Sequence, residues 1–266
     1  AEEPFAHVVS MGSRCLVARI LRDLGLRTYS GPFDWIYSSA AVVRHMLEDD
    51  FDRFLALDEL VPAGQAWGHR TYGRLLNDRR VVFPHHEPKT RDRAHFVRAC
   101  ARMRAVLDSP GRKLFILGHL VNSRKEVQAV RSGDASGGGG AQLSGLFDYL
   151  RGRGVADFDL HAVHVMVGLA SDCSSSSRAE AKAVYDSGPG RERLRIHELH
   201  CVGKCTGLNF KSEVDEEALR SLVQGHGATG RRFALQPDPL PAAASSGAGD
   251  APSAARRCYG DVDSWP

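Results

Sequence analysis

What this chain lacks narrows its function before any motif is read. No apolar run approaches the roughly 20 residues that a membrane helix needs, so no membrane partner is expected. Charge of either sign is not in excess: 35 Lys and Arg stand against 32 Asp and Glu, a formal net charge of +3. Such a balance offers no electrostatic case for a nucleic-acid partner. No Gly-x-Gly-x-x-Gly follows the first apolar segment and no phosphate-loop sequence occurs, so no nucleotide cofactor is expected. The opening AEEPFAHVV has neither a basic stretch nor a long apolar one, which gives the expectation of a cytoplasmic protein without a signal peptide. Six cysteines (Cys15, Cys100, Cys173, Cys201, Cys205 and Cys258) are scattered through 266 residues. A chain of that length builds its own core, so these read as reduced thiols rather than a disulfide framework.

What is there is an ordinary globular composition, 42% hydrophobic and 25% charged. Apolar runs predict strands over 6–11, 81–88, 113–121, 159–170 and 193–202. Apolar residues spaced i, i+3, i+4 predict helices over 14–24, 39–48, 91–108, 143–154 and 212–223, with a short helix or loop over 122–131. Ser212 is expected to cap the last helix, with Asp215 three residues on. Strands alternating with helices imply right-handed crossovers and a mainly parallel sheet with helices on both faces. The expected fold is therefore an α/β three-layer sandwich of the flavodoxin type. It should occupy residues 1–236, with a flexible Gly-rich insertion near 132–140. The Pro/Ala/Ser/Gly-rich stretch 237–266 is expected to be disordered. Sites in such folds lie at the carboxyl ends of strands. Met11–Cys15 and Gly118–Asn122 are two such places.

Cys15 is the first chemical candidate. A thiol in the first turn of a helix sits at the positive end of the helix dipole. There its pKa can fall from about 8.5 to roughly 3.5–7.5, which favours the reactive thiolate. Gly12 and Ser13 would form the turn, and nearby backbone N–H groups would hold an oxyanion. The competing reading is a small apolar residue packed beneath the sheet edge. His197, His200, Cys201 and Cys205 are metal-ligand types, but their spacing fits no common zinc site. His197 and His200 fall on opposite faces of a strand, as do His161 and His164, and no metal is expected. The arginines at 91, 93, 98, 102 and 104 are interrupted by Asp92 and Asp108 and read as a solvated helix face.

The run Ser10-Met11-Gly12-Ser13-Arg14-Cys15, then Leu24-Gly25-Leu26-Arg27 and Gly31-Pro32-Phe33-Asp34-Trp35, resembles a largely uncharacterised family of papain-like cysteine peptidases. The resemblance extends through Tyr72-Gly73, Phe83-Pro84-His85 and the KLFIL strand, covering about residues 8–120. The terminal Gly260-Asp261 and Trp265 add a weaker echo. The sequence departs from the pattern at His86, where an aspartate is expected. The resemblance implies Cys15 as nucleophile, His85 as base and Asp34 as the residue orienting it. The Gly-Ser-x-Cys turn, taken with Gly118 and Asn122, is also similar to SGNH/GDSL hydrolases, though Ser13 stands one position off their usual spacing. That similarity implies Ser13 as the attacking group, with Asn122 at the oxyanion. The leading expectation is a cysteine-dependent hydrolase or acyltransferase in which Ser13, Arg14 and Asn122 touch the substrate. That substrate would be a peptide, an ester or an acylated sugar. The alternatives are an esterase acting through Ser13 and a non-catalytic domain that binds a glycan or protein.

Overall fold

The computed structural model describes residues 4–77, 79–132, 140–167, 179–184 and 190–225. Most of the Gly-rich insertion, the stretch 237–266, Cys173 and Cys258 lie outside the described residues. The chain runs β1 (His7–Ser10), α1 (Cys15–Asp23), α2 (Ala40–Glu48), α3 (Asp52–Leu55), β2 (Leu60–Ala63), β3 (Ala66–His69), α4 (Arg70–Leu75) and α5 (Arg93–Asp108). It continues β4 (Lys113–Val121), α6 (Arg124–Ser132), α7 (Gly140–Gly152), β5 (Phe158–Met166), β6 (Glu180–Val184), β7 (Leu194–His200) and α8 (Glu213–Gln224).

Five strands form the main sheet in the order β1-β4-β5-β7-β6. The first four are parallel and β6 joins β7 antiparallel. The expected mainly parallel three-layer α/β sandwich is therefore the observed architecture. Its cause is visible in β4, KLFILGHLV, where apolar side chains point both ways because helices cover both faces. Phe115 and Leu117 enter one core with Val42 and Met46 of α2, Phe96 and Met103 of α5, and Leu146 and Leu150 of α7. Leu114, Ile116 and Leu120 enter the other with Leu16, Val17 and Ile20 of α1 and with Leu219 and Val223 of α8. Arg19 ties that second layer together. Its guanidinium donates to Glu216 on α8, to Asp23 and to the Leu208 carbonyl.

Two segments depart from expectation. Residues 81–88 form no strand of the main sheet. Phe83 instead makes an isolated bridge to Trp67, and Pro84, which has no N–H to donate, follows at once. The Trp67 strand belongs to a small hairpin, β2–β3, that the sequence pattern did not announce. The other departure is β6, EAKAV, which lies outside every strand that the apolar runs predict. It is an edge strand and carries no continuous apolar run. Asp215 also has a different role from the one its spacing suggested. Ser212 makes no side-chain cap bond, while the fully buried Asp215 accepts from the N–H groups of Val202 and Gly203. Its carboxylate thereby clasps the loop that leaves β7.

Candidate active site

The turn after β1 is held against the end of β4 by three short backbone bonds. Met11 N–H donates to Ile116, Ser13 N–H to Gly118, and Gly118 N–H to Gly12. Glycine is required at both contact points. Gly12 has φ +91°, and a Cβ there would meet Ser38 Oγ at 1.8 Å. A Cβ on Gly118 would meet Val17 at 2.6 Å. Ser38 N–H donates to the Ser13 carbonyl, so the loop before α2 is drawn onto the same turn.

A polar cleft of about 80 Å³ opens where these segments meet. Ser13, Arg14, Tyr37, Ser38, Ser39, Arg79, His119 and Glu126 are among its lining residues. The Ser13 hydroxyl has no hydrogen-bond partner among the described residues. His119 stands near the carboxyl end of β4, and its Nδ1 lies 3.3 Å from Nδ1 of His164 on β5. Nε2 of His119 has no hydrogen-bond partner among the described residues. The sheet register places His119 opposite His164, His164 opposite Glu198, and, across the antiparallel β6–β7 pair, Glu198 opposite Lys182, a polar row across four strands. Glu198 is buried and its Oε2 lies 3.1 Å from His200 Nε2. Burial, with the Arg14 guanidinium nearby, pushes the His119 pKa down to about 4. Burial and His119 push His164 down to about 4, opposed by the Glu198 carboxylate. Both imidazoles are neutral at pH 7, the form in which Nε2 can accept a proton.

The residues singled out in the sequence are distributed unevenly around this cleft. Ser13 and Arg14 line it. Cys15 opens α1 but is packed against Leu208 and Trp35, and it is not among the lining residues. Asn122 is exposed, does not line the cleft, and uses its backbone N–H on Glu126. Asp34 is buried and accepts from Arg27 Nε and from Gly31 N–H. It makes no bond to His85, so the Asp34–His85 pair implied by the family resemblance is not formed. His85 has no hydrogen-bond partner among the described residues and does not line the cleft. The acid found near it, Asp92, bonds His86 instead. The Ser13 N–H that was expected to face an oxyanion is already committed to Gly118. The Arg14 N–H, at the N-cap of α1, has no partner among the described residues.

His119, Tyr37 and Arg79 were not foreseen, and His164 read as an ordinary strand histidine. The one available signal was Gly-His at the carboxyl end of the strongest strand, where sites in this architecture gather. The His119–His164 pairing needs the strand register, which a single sequence does not contain. On the other face, His161 Nε2 lies 2.9 Å from His197 Nδ1. Among the described residues no group of three or more His, Cys, Asp or Glu side chains is arranged to hold a metal ion.

Sheet, helices and cleft together define an α/β protein whose polar pocket sits at the carboxyl ends of parallel strands. Residues 6–130 match the model of a family described as "Putative papain-like cysteine peptidase (DUF1796)", the family that the Gly-Ser-x-Cys and Pro-Phe-Asp-Trp blocks resemble. The match runs from β1 into α6. It includes Ser13, Arg14, Cys15, Arg79 and His119 but not the strands that supply His164 and Glu198. No curated protein and no solved structure matches the chain.

Proposed function

We propose that the protein is an acyl hydrolase whose reaction takes place in the β1–β4 cleft, with Ser13 as nucleophile and His119 as general base. The observation that carries this reading is that an unbonded Ser13 hydroxyl and His119 line one pocket, while Cys15 is packed away from it. Ser13 Oγ would attack the carbonyl carbon and give its proton to His119 Nε2. The tetrahedral intermediate would then collapse as His119 returns that proton to the leaving oxygen or nitrogen. Water, activated by the same nitrogen, would hydrolyse the acyl-serine. His164 and Glu198 would fix the tautomer of His119 in the way an acid orients the histidine of a triad. The Arg14 N–H at the start of α1 would face the developing oxyanion.

A second reading keeps Cys15 as nucleophile, favoured by its place as the first residue of α1 and by the family description. It requires the thiol to leave its contact with Leu208 and Trp35. Hydrolysis of 4-nitrophenyl esters and of a peptide library by Ser13→Ala and Cys15→Ala separates the two. Loss of activity in Ser13→Ala with activity kept in Cys15→Ala supports Ser13. The reverse pattern supports Cys15.

A further inference from the structure

The cleft has a second chemical feature that the reaction as written does not use. The guanidinium of Arg14 lies 5.1 Å from the centre of the Tyr37 ring and that of Arg79 lies 4.7 Å from the same centre. Both arginines and Tyr37 line the pocket together with Ser13. Elsewhere the fold pairs such arginines with carboxylates, Arg19 with Glu216, Arg27 with Asp34 and Arg112 with Asp159. Arg14 and Arg79 form no ion pair among the described residues. The acid lining the cleft is Glu126, and its Oε2 accepts from Asn122 N–H at 2.9 Å. Burial and the neighbouring Arg14 both work against the charge on Arg79, with Tyr37 and Glu126 opposing them. Two like charges held in one pocket, with one carboxylate lining it and no ion pair to either, are a cost that a further anion would reduce. Arg14 is also seated. Gly207 has φ +87°, and a Cβ there would meet the Arg14 side chain at 2.4 Å.

We infer that Arg14 and Arg79 form an anion-binding subsite, so that the substrate is an ester or amide carrying a phosphate or carboxylate close to its scissile carbonyl. This rests on the cleft being the reaction site, and it names the substrate class that the cleft would take. Guanidinium groups suit both anions because their paired N–H donors match two oxygens at once. Tyr37, whose ring both guanidiniums approach, would hold them in place.

Two measurements test the inference independently. In the first, inorganic phosphate and succinate are titrated into the protein at constant ionic strength, with chloride as reference and the melting temperature as readout. A saturable rise with either anion is expected, and the tighter of the two names the anionic group. Arg14→Ala and Arg79→Ala should each weaken that binding about tenfold or more, the loss of at least one charge-assisted hydrogen bond. A shift no larger than that of chloride, or one unchanged in both variants, overturns the subsite. The second compares 4-nitrophenyl butyrate with the mono-4-nitrophenyl ester of succinic acid. A preference for the charged ester in kcat/KM of about tenfold or more is expected, and its loss in Arg79→Ala. Equal turnover of the two esters overturns the subsite. If neither ester is cleaved while phosphate still binds saturably, the hydrolase reading fails and the anion subsite stands.

Discussion

Ser13 and Cys15 are two residues apart, yet their surroundings differ in kind. One carries an unbonded hydroxyl in a polar cleft, and the other packs on Leu208 and Trp35. Cys15→Ala should therefore cost stability, roughly 1–2 kcal/mol for a lost buried side chain, and leave hydrolysis in place. Equilibrium denaturation alongside an ester assay checks both halves. His119→Gln should lower kcat about 10²–10⁴-fold, the range of a positioned base. His85→Ala should leave kcat within about a factor of two, because His85 touches neither Ser13 nor Asp34; steady-state kinetics of the two variants decide between the histidines. The sequence motif pointed to the turn that lines the cleft, and it did not point to His119. Cys15 drew attention through its place at a helix start. His119 gave only a Gly-His pair inside an apolar strand, and its ring pairs with that of His164, 45 residues away in the chain.

At the scale of elements, the cleft depends on how closely the β1–α1 turn approaches β4 and the loop before α2. Gly12→Ala should impair folding, since the added Cβ falls 1.8 Å from Ser38 Oγ at a φ of +91°. The double variant Gly12→Ala/Ser38→Ala removes the clash with the hydroxyl but keeps the backbone strain, about 1–3 kcal/mol. Its melting temperature should lie between that of Gly12→Ala and the parent. Asp215→Ala should loosen the β7–α8 connection, because it leaves the Val202 and Gly203 N–H groups without their acceptor. The expected cost is roughly 2–3 kcal/mol, with faster amide exchange at those two positions in hydrogen-exchange mass spectrometry. Elements buried on both sides were legible from the sequence. β4 matches its predicted 113–121 span because nothing but a buried strand suits KLFILGHLV. β6 was not legible, since an edge strand can be short and polar. The Ser212–Asp215 spacing suggested a cap, but Asp215 had stronger donors to satisfy across the β7 loop.

For the whole molecule, acid is the informative variable. The folded protein holds His119 and His164 near pKa 4, whereas an unfolded histidine titrates near 6.5. The unfolded chain thus binds more protons between about pH 6.5 and 4, and stability falls as pH drops through that window. Above pH 6.5 this contribution is fully present. Denaturation midpoints measured from pH 7.5 to 4.5 should decline, and the decline should lessen in His164→Phe. Activity should follow the same groups, with the acid limb of kcat/KM lying well below pH 6.5. The most direct test of the account is the position of the acyl group on the enzyme. The protein is mixed with 4-nitrophenyl acetate, quenched in acid within one turnover and mapped by tandem mass spectrometry. The account predicts an acyl oxygen ester on Ser13, absent when His119 is replaced by glutamine. A thioester on Cys15 would contradict it.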